Sequence, residues 1–279
     1  MSAEKEALVL GPLESGLYFG LLSEGRWVVS TSDAARREEI THNHAAKLLH
    51  ALHRKGLLTR VGRGIYAVAS PTSLAENTPT VDPYRVIDQL MKLLGIPYYI
   101  GFASAVHLHG SSDEIPFTIQ VATARQRRPL RVAATPVKFH QVAADRFFGI
   151  VRVRQSGEFV SVSDPEKTLL DCAERPNLCG GLHGLIGVAR ELAHDLDLRR
   201  LREHARRMGP GPSVQRLGFV LMRLRMARKR IIPPEAPAAL SLRRKLGPYP
   251  LDPSRPRRGR EDRKWRIIVN GHIPGWADG

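Results

Sequence analysis

Residues 41–69 read THNHAAKLLHALHRKGLLTRVGRGIYAVA. Ala45, Leu48, Leu49 and Leu52 recur at the spacing of one apolar face of a helix. Thr41 is placed to cap that helix, because its hydroxyl can take an otherwise unpaired backbone N–H, and Gly56 is a natural stop beyond its end. His42, Asn43, His44, Lys47, Arg54 and Lys55 fall largely off the apolar face. After Gly56 the period changes. Leu58 and Arg60, then Ile65 and Ala67, alternate as two short strands, and Val61-Gly62-Arg63-Gly64 between them makes a glycine-rich hairpin tip.

Upstream, residues 8–22 (LVLGPLESGLYFGLL) read as a helix that starts near Pro12 and is stopped by Ser23–Gly25. Trp27–Val29 is short and apolar, and Ser30 or Thr31 caps a second helix through Asp33–Arg37. Three helices followed by a two-stranded hairpin is the order of a winged helix-turn-helix, with the third helix as reader and the hairpin as wing. From Thr41 to Gly64 there are five basic residues and no acid. A reader helix presents its first residues to the major groove, where Asn43 can pair with adenine through one donor and one acceptor, and His44 and Lys47 can reach base or phosphate. The plainer alternative is an amphipathic helix with a solvated basic face. Arg63, flanked by glycines, favours DNA, because a wing needs an arginine on a tight turn near phosphate. The expected DNA contacts are therefore Thr41, His42, Asn43, His44, Lys47, Arg54 and Lys55 on the helix, with Arg60 and Arg63 on the wing.

Residues 71–83, rich in proline and small polar residues, read as a linker after a domain over 1–70. A larger mixed α/β domain is expected over 84–279, making the fold class α+β. Its expected elements are a helix at 84–94, then YYIGFASAVHLHG (98–110) as a strand turning into a helix or as one continuous helix. Strands follow at Phe117–Ala122, Val137–Val142, Ile150–Val153 and Phe159–Val162. Ser163 or Asp164 then caps a helix in which Glu166 can complete a capping box. Helices with arginine-rich faces occupy 182–230, GPYPLDPSRPRRGRED (247–262) is an extended loop, and KWRIIVN (264–270) is a strand.

The chain has 279 residues, 42% hydrophobic and 25% charged, which excludes long disorder. No uncharged apolar run approaches the roughly 18 residues of a membrane span. An acidic N-terminus argues against a secretion signal, and two cysteines make no disulfide framework, so a cytoplasmic location without membrane partners is expected. The formal net charge of +16 points to a polyanion or an acidic partner. It is concentrated in residues 190–270, which hold 22 basic and 8 acidic residues. Arginine prevails there; it suits paired bonding to carboxylate or phosphate, though biased composition would produce the same count.

No pattern for chemistry emerges. His107 and His109 lack companion ligands, Cys172 and Cys179 lack a second pair, and there is no phosphate-binding or nucleophile-elbow motif. Asp164, Glu166, Lys167 and Asp171 mimic scattered catalytic groups, but they fall at a helix start, where capping is the stronger role. Neither catalytic residues nor a metal or cofactor is expected.

GLLTRVGRGIYAVASP (56–71) resembles the wing of the AbiEi-family antitoxins, regulators of two-gene toxin–antitoxin and abortive-infection systems. YYIGFASAVHLHG, IQVATARQRRP (119–129), VKFHQV (137–142) and VSVSDPEKTLLDCAERPNLCGG (160–181) resemble the family's body in order, as do VQRLGFVLMRL (214–224), PLDPSRPRRG (250–259) and KWRIIVN. The resemblance spans about residues 8–270. It implies a winged-helix domain that represses its own operon at inverted repeats, and a C-terminal domain that neutralises a nucleotidyltransferase-like toxin, directly or indirectly. No neutralising residue carries over; Arg225, Arg228 and Arg230 are taken as a trial surface from the charge alone. A standalone winged-helix regulator without a toxin and a nucleic-acid-processing enzyme are the alternatives.

Overall fold

The computed structural model describes residues 9–70, 81–110, 117–155, 157–227, 232–242 and 246–271. Pro12 opens the first helix, α1 (Pro12–Ser23), followed by strand β1 (Val28–Ser30) and helix α2 (Thr31–Arg37). Ser30 caps α2 reciprocally: Asp33 N–H donates to Ser30 Oγ at 3.1 Å, and Ser30 N–H donates to Asp33 Oδ2 at 3.3 Å. Helix α3 (His42–Arg54) starts on Thr41, whose Oγ1 accepts from His44 N–H at 3.3 Å. Gly56, at φ +75°, turns the chain out of α3. Strands β2 (Leu58–Gly62) and β3 (Ile65–Val68) pair antiparallel, with β1 on the far side of β3, in a three-stranded sheet ordered β1-β3-β2. The ladder shifts register between Arg60 and Gly62, so a bulge forms at Val61. Apolar side chains from α1, α3 and the sheet, among them Leu17, Tyr18, Leu49, Leu52 and Val68, close one core.

The chain divides into two units: Met1–Pro97 with Arg128–Lys138 and Arg154–Phe159, and Tyr98–Arg127 with Phe139–Val153 and Val160–Gly279. The expected linker falls largely on residues 71–80, outside the described residues. Helix α4 (Pro83–Leu93) lies in the first unit, with a clear physical reason. Gln89 Oε1 accepts from the backbone N–H of Trp27 and Val28 at 2.7 and 3.2 Å, and its amide donates to Gly25 O at 2.7 Å. The Arg85 guanidinium stacks over the Trp27 ring at 4.8 Å.

Past α4, the 98–110 stretch is a strand, β4 (Tyr98–Ile100), and then a helix, α5 (Ala103–Leu108). Strands β5 (Ile119–Thr123), β6 (Leu130–Val132), β7 (Thr135–Gln141), β8 (Ile150–Gln155) and β9 (Glu158–Ser163) follow. They form with β4 a six-stranded sheet ordered β6-β7-β5-β4-β9-β8, in which β4 runs parallel to β9 and antiparallel to β5.

Helices α6 (Pro165–Glu174), α7 (Gly181–Leu192), α8 (Leu198–Met208) and α9 (Pro212–Ala227) supply most of the second core. In α6 every residue from Glu166 to Ala173 is buried. The region expected as an extended loop contains strands. After a short helix α10 (Ala236–Ala239), β10 (Tyr249–Pro250) and β11 (Arg260–Asp262) flank β12 (Ile267–Val269). Two- and three-residue strands beside prolines leave too little alternation to be seen in sequence. Among the described residues no helix is long and apolar enough to cross a membrane.

Candidate nucleic-acid interface

The helix periodicity that buries Ala45, Leu48, Leu49 and Leu52 leaves the opposite side of α3 in solvent. Thr41, His42, Asn43, His44, Lys47, His50 and Arg54 are all exposed. Asn43, Lys47, His50 and Arg54 are spaced by four, three and four residues and so form one stripe along the helix. His50 is absent from the residues expected from sequence; its three-residue step from Lys47 was the available signal. On the wing, Arg60 and Arg63 are exposed, with Arg60 Nε donating to Gly62 O at 3.3 Å. Arg63 and Gly64 form the turn, where Gly64 takes φ +66°. A Cβ there would stand 3.0 Å from Thr31 Oγ1, so glycine fits this turn on both counts.

Lys55 is engaged elsewhere. Its ammonium pairs with Glu14 Oε2 at 2.5 Å and donates to Val9 O at 2.9 Å, tying the end of α3 to the start of α1. The Lys55 hydrogen bond and the Gly11 N–H hold the Glu14 carboxyl below its usual range.

The second unit contains a different arrangement. Asp164 caps α6 by accepting from Lys167 N–H at 2.8 Å. This choice of cap puts Lys167, not Glu166, three residues on, so the expected capping box does not form. Glu166 Oε1 instead accepts from Asp197 N–H at 2.6 Å, while Arg200 stands 3.8 Å from Oε2. Burial raises the Glu166 carboxyl above its usual range. Lys167 is fully buried; its ammonium donates to Asp171 and, at 3.1 Å, to Tyr99 Oη, whose hydroxyl donates to Asp171 Oδ2 at 2.9 Å. The rings of Tyr99 and Phe148 lie 5.2 and 5.1 Å from that ammonium. His204 Nε2 bonds Asp164 Oδ2 at 2.8 Å. The Asp164–His204 bond joins α6 to α8, and the Lys167–Asp171–Tyr99 bonds join α6 to β4.

His109 Nε2 bonds Ser163 O at 2.7 Å. Cys172 and Cys179 are free and buried, and the Cys179 hydrogen bond together with burial lifts the Cys172 thiol. Among the described residues no cluster of three or more histidine, cysteine or acidic side chains has metal-binding geometry. Of the trial neutralising surface, Arg225 Nη1 donates to Pro234 O at 2.8 Å, whereas Arg228 and Arg230 lie outside the described residues. The arginine-rich region is not all surface. Arg216 is buried, donating to Ala173 O and, at 3.0 Å, to Pro250 O, and burial lowers its pKa to about 10.

A comparison with curated proteins finds no match. Among solved structures, the chain is similar to the crystal structure of RV2827C protein from Mycobacterium tuberculosis. The two share 16% identity with a TM-score of 0.65, over 93% of this chain and 92% of that one, a likeness of fold. Two family models match consecutive parts of the chain. The transcriptional regulator model of AbiEi antitoxins covers residues 21–69, from the end of α1 through the wing. The AbiEi antitoxin C-terminal domain model covers residues 99–223, from β4 into α9. With both halves of one architecture matched in order, on the three-helix domain that holds α3 and on the body built around α6, the chain belongs to the AbiEi antitoxin family.

Proposed function

We propose that this protein represses its own operon by seating α3 in the major groove of inverted-repeat DNA, with the wing against phosphate. In the same reading its second unit neutralises a nucleotidyltransferase-like toxin. The observation that carries the DNA half is the acid-free, exposed stripe of Asn43, Lys47, His50 and Arg54, continued by Arg60 and Arg63 on the wing. Lysine and arginine release counterions from the phosphate backbone, while an exposed asparagine at a helix start reads a base edge. Inverted repeats imply two copies of the reader, with half-sites one helical turn, about 34 Å, apart or a multiple of it.

Family membership supports the toxin half. The excess of arginine in residues 190–270 gives the second unit a charge suited to steering an acidic partner. The test uses the purified full chain and the DNA upstream of its own gene in a footprinting and anisotropy titration. Protection of two equally spaced half-sites, weakened by salt, is the expected result. Equal affinity for scrambled DNA overturns the repressor reading. Growth rescue when this gene is expressed with the adjacent reading frame tests the toxin half separately.

A further inference from the structure

Among the described residues of the first unit, the lysines and arginines fall into two sets. Arg26, Arg36, Arg37, Lys55, Arg85 and Lys92 each face a carboxylate, at distances between 2.5 and 3.9 Å. Lys47, Arg54, Arg60 and Arg63, on α3 and the wing, are exposed and pair with no carboxylate among the described residues. A surface kept clear of the protein's own anions suits a foreign one. This second set does not end at the wing. Arg128, Arg131, Lys138 and Arg154 are likewise exposed and without a carboxylate partner among the described residues, and they belong to the same unit.

Arg131 and Lys138 sit on the hairpin of β6 and β7. Its register sets Leu130 opposite Val137, Arg131 opposite Pro136 and Val132 opposite Thr135, so Ala133 and Ala134 alone make the turn. Opposed residues share a face and successive residues alternate. Val132 and Val137 therefore take the buried face, and Arg131 and Lys138 take the other. Arg131 Nη2 donates to Ala134 O at 2.7 Å, which orients the guanidinium and leaves its remaining N–H groups for a ligand. Cations on an edge strand commonly guard it against stray pairing, but Lys138 is on β7, which lies between β6 and β5. Strand β6 packs against β2, the outer strand of the wing sheet. From Phe117 to Ala144 the chain holds five lysines and arginines and no acid, the same count as Thr41–Gly64.

We infer that the β6–β7 hairpin is a second wing, whose Arg131 and Lys138 contact phosphates of the duplex that receives α3. The inference rests on the DNA reading proposed above and extends it. It places a DNA contact inside the segment matched by the antitoxin C-terminal domain model, residues 99–223. Position decides for duplex DNA over an acidic protein, because the hairpin shares a unit with α3 and adjoins the strand that carries Arg60. The hairpin adds affinity without reading sequence, since phosphate contacts set register and carry no base information.

The test is an anisotropy salt titration of the full chain on the DNA upstream of its gene and on a scrambled duplex of equal length. Arg131→Ala combined with Lys138→Ala should lower the slope of log affinity against log salt by about 1.8, at about 0.9 per phosphate contact. Both duplexes should weaken by the same factor, so the preference between them is kept. Lys138→Ala alone, which disturbs no bond of the turn, should lower the slope by about 0.9, and the charge-keeping Arg131→Lys should leave it unchanged. An unchanged slope in both Lys138→Ala and the double variant would overturn the inference; the reading of α3 would still stand if Asn43→Ala flattens the preference. Equal affinity for the two duplexes, with the slope still lowered, would sink the operator reading and keep the hairpin as a phosphate contact. Binding of neither duplex by the wild-type chain would overturn both. Loss of growth rescue with an unchanged slope would assign the hairpin to a protein partner and overturn the inference as well.

Discussion

Asn43 carries a donor and an acceptor at the exposed start of α3, so its amide can satisfy an adenine edge in two bonds at once. Asn43→Ala is expected to cost operator binding about 1–3 kcal/mol and to flatten the preference over scrambled DNA, measured by anisotropy at fixed salt. No change in preference would remove Asn43 from the reading surface. Arg63 belongs to a different class of contact. Arg63→Ala should weaken all duplexes alike and reduce the slope of log affinity against log salt by about one. An unchanged slope would leave Arg63 as a solvated hairpin side chain, and a loss confined to one base position would make it a minor-groove reader. Most of this surface was legible, because burial of Leu48, Leu49 and Leu52 dictates what α3 leaves outside. Lys55 was not, because its partner Glu14 lies 41 residues away and no local period encodes that pairing.

Burial raises both buried carboxyls of α6 above the usual range, but only Asp171 has a fully buried ammonium bonded to it, so neutralising each should have opposite effects. Asp171 compensates the fully buried Lys167 ammonium, so Asp171→Asn leaves that charge unpaired and should cost about 3–5 kcal/mol in denaturant unfolding. Glu166 is held above the usual carboxylate range by burial. Its ionised form is therefore the costly one. The penalty is absent below the unfolded carboxylate pKa and grows as pH rises through the raised folded value. Glu166→Gln keeps an acceptor for Asp197 N–H. It should be more stable than wild type at neutral pH and converge with it in acid; a constant gap across pH would contradict this account. The start of α6 was readable from Ser-Asp-Pro-Glu, but two side chains could serve as cap, and packing chose Asp164 over Ser163. Strands as short as β10 and β11 carry no period at all. They form because buried groups on α9 hold the segments around them: Gln215 donates to Leu246 O and Trp265 O at 2.8 and 2.9 Å, and Arg216 reaches Pro250 O.

On the scale of the whole chain, the order of elements in the winged helix was evident from sequence, whereas the membership of α4 was not. Proline-rich composition marks where a chain is extended, but the side chain that assigns α4 to the first unit is Gln89, whose partners lie more than 60 residues back. A fragment of residues 1–97 should therefore keep specific operator binding. A fragment of residues 1–75, lacking the three Gln89 bonds, should melt at least about 4 °C lower by calorimetry. Equal melting of the two would show that α4 adds nothing to the first unit. The second unit depends on a distant residue of its own. Trp265 is 1% exposed, and its ring occupies the space where a Cβ on Gly218 would stand, 2.0 Å from the nearest ring atom. For a chain emerging from a ribosome this sets a schedule. The winged helix has its core side chains once codon 69 is read, while the second unit lacks its largest buried side chain until codon 265. A stop codon anywhere between the two should behave as a null allele for the second unit and spare the reader, so such truncations would separate repression from neutralisation genetically.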